Sequence, residues 1–204
     1  MGLMADDSGK DIEPIPEGVY QAICYAIYDL GTQTSELYGD AHQCLISWEI
    51  PEVRIEYDKD GQHYDLPRAI SKYYTVSLHE KSNLRKALVS WRGRAFTPEE
   101  LKGFDVQKLL GANCMLQIIH TNKNDKVRAE VASILPLYKG LQRKEAENPL
   151  VMFSFSEYDG GIPKNVPSWV MKKIEQSKEW KLIEQGSSQN ESDGLPSYDD
   201  DVPF

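Results

Sequence analysis

The chain has 204 residues, 32 Asp and Glu against 23 Lys and Arg, a net charge of −9, and 40% hydrophobic residues. That length suits one elaborated domain with tails, and the composition is that of an ordinary globular protein. The acidity argues at first sight against a polyanion partner, no apolar run nears the ~20 residues of a membrane span, and the polar start from Met1 to Pro14 lacks the apolar core of a secretory leader. A cytoplasmic protein with no membrane contact is expected.

Residues 1–16 read as a flexible arm ending in Pro14-Ile15-Pro16. Val19 to Leu30, rich in Tyr, Ile and Val, predicts a strand that Gly31 breaks. A second strand is expected from His42 to Tyr57. Its half-buried pattern sets Cys44, Ile46, Trp48 and Ile50 against Gln43, Leu45, Ser47 and Glu49, with a bend or bulge at Pro51. Asp58-Lys59-Asp60-Gly61 is a turn signal. A third strand over Ala69 to Leu78 places Tyr74, Val76 and Leu78 inward and Ser71, Tyr73, Thr75 and Ser77 outward.

Helical signals follow. Leu84, Leu88 and Trp91 form one apolar stripe over 83–91, with Gly93 just past its end. Thr97-Pro98-Glu99-Glu100 predicts a capping box with Pro at the first helical position. The helical stretch from Leu101 to Leu110 is interrupted near Gly103 and stopped by Gly111. Two further strands, Asn113 to Thr121 and Lys126 to Leu137, flank a hairpin turn. Three strands, a helical connection and two strands are the element order of the OB fold. The expectation is therefore mainly β with α: a five-stranded OB-like barrel over 17–140, with a helical insert between strands 3 and 4. An extension over 141–183 carries a short strand within 148–155 and a helix from Pro167 to Lys181. That helix either packs on the barrel or makes a homo-oligomer contact. Residues 184–204 read as a disordered linker and acidic tip.

Cys24, Cys44 and Cys114 are far apart, sit in apolar stretches and show no metal spacing, so buried free thiols are expected. The four histidines are scattered, and neither a phosphate-binding Gly-Lys-Ser/Thr loop nor a nucleophile elbow is present. No catalytic residue, metal or cofactor is assigned, and a non-enzymatic protein is expected.

The distribution of charge reverses the first impression. Arg68 to Arg128 holds twelve Lys and Arg against five Asp and Glu, a net of +7, while the rest of the chain carries −16. A cationic middle in an anionic chain is the footprint of a polyanion binder. Single strands are held by a basic groove and by aromatic faces on which bases stack. Lys72, Tyr73, Arg85, Lys86, Arg92, Arg94 and Phe96 offer both. Trp91 sits on the helix stripe and reads as core. Phe96 reads either as a staple beneath the second helix or as a stacking face. Arg92 and Arg94 flank a glycine that lets both reach one backbone.

The chain closes on Asp199, Asp200, Asp201, Val202, Pro203 and Phe204, behind a Gly/Ser/Asn-rich leash. This tip resembles the C-terminal Asp-Asp-Asp-Ile-Pro-Phe of bacterial and phage single-stranded DNA-binding proteins, with Val202 for Ile. The resemblance implies that the tip docks on replication, recombination or repair enzymes and competes with DNA for the protein's own basic groove. A leash of ~20 residues averages about 25 Å end to end, enough to return to the body of the protein. The stretches Tyr74 to Arg85 and Trp91 to Thr97 resemble segments of small phage-encoded proteins associated with replication or recombination, which implies action in a bacterial host cytoplasm. The expected function is coating of single-stranded DNA with recruitment of partner enzymes. The alternative is an adaptor or inhibitor that captures such enzymes through the tip without binding DNA.

Overall fold

A computed structural model describes residues 13–37, 39–123, 126–158, 160 and 165–190. Six strands form one sheet: β1 (Gly18–Ser35), β2 (Gly39–Lys59), β3 (Gln62–Thr75), β4 (Asn113–Lys123), β5 (Lys126–Pro136) and the short β6 (Val151–Phe153). The path is β3-β2-β1-β4-β5, antiparallel throughout, with β6 added in parallel to β1. The expected closed barrel is not formed. No hydrogen-bonded ladder joins the end strands β3 and β5. Lys72 Nζ bridges that seam instead, donating to Val131 O at 2.7 Å.

Gly31 does not end β1. It sits at φ +64 just after a register shift between Asp29 and Gly31, and the strand continues to Ser35. A side chain there would lie 2.6–2.8 Å from Glu179, Ser177 and Phe155, so the glycine is where the C-terminal region packs onto the strand. An earlier bulge at Tyr25 switches which residues face inward. Ala22, Cys24 and Ile27 enter the inner core, whereas Ala26, Tyr28 and Leu30 face the opposite layer. The Pro51 bulge is present, as a register shift between Ile50 and Arg54. Asp60-Gly61, both at positive φ, make the tight hairpin turn between β2 and β3. Strand β3 stops at Thr75, so Val76, expected inward, is exposed.

Helix α1 (Asn83–Arg92) buries the expected stripe of Leu84, Leu88 and Trp91 against the inner face of the sheet. Ser82 caps its start and Gly93 its end. Trp91 meets Trp48 of β2 at 5.8 Å between ring centroids and donates from Nε1 to Asn113 O at 3.2 Å. Helix α2 (Pro98–Lys102) begins with the predicted capping box of Thr97 and Glu100, and a 3-10 turn over Val106–Leu109 leads into β4.

The sheet is covered on its other face as well. Strand β6 and helix α3 (Ser168–Glu175) bury Val151, Phe153, Val170 and Ile174 against Ala26, Tyr28, Leu30 and Leu45. The extension therefore packs on the fold, and the stretch of β2 from Cys44 to Ile50 is buried on both faces rather than half-buried. Ser47 and Glu49 are the buried polar residues of its outer face. Glu49 is fully buried and accepts from Glu147 N (2.6 Å), Asn148 N (2.9 Å) and Asn148 Nδ2 (2.7 Å), which pins the start of the extension. Helix α4 (Lys178–Asn190) follows, so residues 184–190 are helix and not leash. At the other end Ile15 is buried and its carbonyl bonds His120 Nε2 at 2.8 Å, which seats the last residues of the expected arm. All three cysteines are free and buried, and burial pushes each thiol up, Cys44 to about 12. Among the described residues no helix is long and apolar enough to cross a membrane.

Candidate nucleic-acid interface

The expected binding residues divide between the two ends of α1, which are about 15 Å apart at 1.5 Å rise per residue. At the N-terminal end, Tyr73 is 47% exposed, as its outward register requires. It lines a cleft of about 470 Å³ with His79, Lys81 and Asn83. Partial burial raises its phenol above the ordinary value, so the ring stays neutral and suits stacking beside phosphates. Lys86 projects into solvent from the same end of the helix, while Arg85 turns back to donate to Leu78 O at 3.1 Å. Lys72, next to Tyr73 in sequence, spends its ammonium on the β3–β5 seam. It is half-buried and serves the fold.

At the C-terminal end, Arg92 sits against Phe96 and Phe104, its guanidinium carbon 4.4 and 5.3 Å from their ring centroids. Phe96 is buried and meets Phe104 edge-on, so its ring is part of the core and presents no face to a base. Arg92 and Arg94 do converge, on Glu100. Arg94 Nη2 and Nη1 grip its two oxygens at 2.7 and 3.0 Å, and Arg92 Nη2 pairs with it as well. Glu100 also accepts from Thr97 N at 2.9 Å, the return bond of the capping box. The Arg94 bonds, the Thr97 amide and Arg92 together hold its carboxyl down at about 2.

This cluster borders a cavity of about 650 Å³ that Lys108 and Arg143 also line. The sequence reading missed both. Lys108 lay inside the basic window among polar neighbours that gave it no direction. Arg143 lies beyond the window, in a stretch without a periodic pattern. The chain on either side of Arg143 is clamped: Gln21 Nε2 donates to Gln142 O at 2.8 Å, and Asn113 exchanges bonds with Lys144 N and O, both at 2.9 Å. A third cleft, of about 270 Å³, carries Arg68 and Arg128 across the β3–β5 seam beside Pro14 and Ile15.

The window's cations thus fall into separate groups rather than one continuous furrow. The β2–β3 hairpin beyond the Pro51 bulge is acidic, with Glu52, Glu56, Asp58, Asp60 and Asp65 against Arg54 and Lys59. That sign repels phosphates and leaves the two ends of α1 and the seam as the cationic surfaces. The tip expected to bind partners, Asp199 to Phe204, lies outside the described residues. Among the described residues no group of three or more His, Cys, Asp or Glu side chains is placed to hold a metal ion. No known family model matches the chain, and no curated protein matches it.

Proposed function

We propose that this chain is a non-enzymatic single-stranded DNA-binding protein of the OB type, acting in phage replication or recombination and recruiting partner enzymes through Asp199 to Phe204. The observation that carries the reading is the strand path β3-β2-β1-β4-β5 with α1 inserted between β3 and β4 and packed into the inner core. This is the order of an OB barrel opened along its β3–β5 seam, and partial opening belongs to that fold. Exposed Tyr73 supplies a base-stacking face. Lys81, Lys86, Arg94, Lys108 and Arg143 supply charge. The phage setting rests on the resemblance of the middle segments, and the recruiting role on that of the tip.

The second reading, an adaptor that captures DNA-processing enzymes and binds no DNA, is favoured by one observation. Arg92, Arg94 and Lys72, three of the expected contacts, already hold partners within the fold. A gel shift with labelled oligo-dT, with and without magnesium, separates the readings. Retarded intact oligonucleotide is the expected result. No shift selects the adaptor, and magnesium-dependent cleavage replaces both with a nuclease.

A further inference from the structure

We propose that the cavity at the C-terminal end of α1 is a phosphate site, held closed by Glu100, which a phosphate of the bound strand displaces from the Arg92–Arg94 pair. The proposal rests on the strand-binding reading only for the source of the phosphate.

A guanidinium fork recognises carboxylate and phosphate with the same geometry. Glu100 already sits in such a fork, gripped through both oxygens by Arg94 and paired with Arg92. It is therefore an internal stand-in for the anion. One carboxylate fills little of a cavity of about 650 Å³. Lys108 and Arg143 also line that space and hold no ion pair among the described residues. The other lining carboxylate, Asp105, is turned to the chain, accepting from Gln107 N at 2.9 Å as the cap of the 3-10 turn. Four cations thus face two carboxylates, both engaged.

The walls are fixed in advance. Arg92 is held between two phenylalanine rings at 4.4 and 5.3 Å and its Nη1 is buried without a hydrogen-bond partner, a donor that the fold leaves unsatisfied. The backbone on either side of Arg143 is clamped at Gln142 and Lys144, which fixes where its exposed side chain starts. Preorganised donors lose little freedom on binding, which favours a ligand with several acceptor oxygens. Phosphate has enough oxygens for Arg94, Arg143 and Lys108 at once; a carboxylate has two. Glu100 keeps its bond to the Thr97 amide when it releases the arginines, so the exchange does not require α2 to unwind.

The test uses the full chain. Inorganic pyrophosphate is titrated while the arginine Nε–Hε resonances are followed by NMR, and oligo-dT binding is read in parallel by fluorescence anisotropy. Pyrophosphate is expected to shift the Arg94 and Arg143 resonances. Lys108→Ala with Arg143→Ala should weaken that response about tenfold or more. Glu100→Gln, which preserves a capping box, should strengthen it. Unmoved resonances overturn the site. An equal response to acetate, or to a peptide of the last six residues, overturns its assignment to phosphate. Oligo-dT binding that persists while pyrophosphate leaves these arginines untouched removes the site and spares the strand-binding reading. A pyrophosphate response without oligo-dT binding does the reverse.

Discussion

Glu49→Ala should detach the C-terminal layer from the sheet. The carboxylate is fully buried on the outer face of β2 and accepts three hydrogen bonds from Glu147 and Asn148 at 2.6–2.9 Å. A hydrogen bond to a charged group contributes about 1.5–3 kcal/mol net. Glu147 is exposed and Asn148 only half-buried, so water replaces part of what alanine removes. The expected loss is then about 3–4 kcal/mol, below the roughly 4.5 kcal/mol that three such bonds would give at their weakest. For a chain of this size that lowers the melting temperature by roughly 6–16 °C. Urea unfolding gives the free energy. Hydrogen exchange gives its location: amides of 147–153 should exchange faster, because β6 follows directly from the pinned turn. Glu49→Gln, which retains one acceptor oxygen, should fall between wild type and alanine. A Glu49→Ala protein within about 0.5 kcal/mol of wild type, the range of an ordinary surface substitution, would refute the view that this carboxylate anchors the extension.

Tyr73→Ala should weaken oligo-dT binding by about 1–3 kcal/mol, the usual cost of losing one stacked base, with the melting temperature unchanged because the ring is exposed; equal affinity would remove Tyr73 from the interface. Gly31→Ala combines a positive φ with contacts of 2.6–2.8 Å to Glu179, Ser177 and Phe155. It should cost about 1–3 kcal/mol and free α4 for limited proteolysis, and an unaltered digestion pattern would speak against that packing. Glu100 sets a pH dependence. Its carboxyl is depressed from 4.5 to about 2 by Arg94, the Thr97 amide and Arg92. A depressed folded-state value adds stability above the unfolded value and loses it as pH falls toward the folded one. The difference in urea midpoint between wild type and Glu100→Gln should therefore be constant above about 4.5 and shrink between there and about 2. A difference independent of pH would mean that the ion pairs contribute nothing.

Local signals read well from this sequence because they depend on neighbours in the chain. The stripe of Leu84, Leu88 and Trp91, the Thr97–Glu100 capping box and the Pro51 bulge each need only a few consecutive residues. Long-range partners were not legible. Cys44 to Ile50 alternates like a half-buried strand, yet Leu45, Ser47 and Glu49 are buried because β6, α3 and the 147–148 turn arrive from about a hundred positions away, and alternation carries no record of that cover. Gly31 looked like a strand breaker because its contact with Glu179 is equally remote. The candidate site divided along the same line. Tyr73 is outward as its register implied. The partners of Lys72 (Val131), of Arg92 (Phe104) and of the chain around Arg143 (Gln21 and Asn113) are set by tertiary structure.

The central claim is that cations of this fold bind the backbone of a single strand. Oligo-dT affinity measured from about 50 to about 200 mM salt tests it most directly, since each phosphate neutralised on a single strand contributes about −0.7 to the log–log slope. With Lys81, Lys86, Lys108 and Arg143 exposed, and Arg94 joining them when Glu100 is displaced, a slope of about −2 to −3.5 is predicted. Removal of Asp199 to Phe204 should leave it no weaker at any salt. Absence of binding at the low end, or an affinity indifferent to salt, would contradict the account.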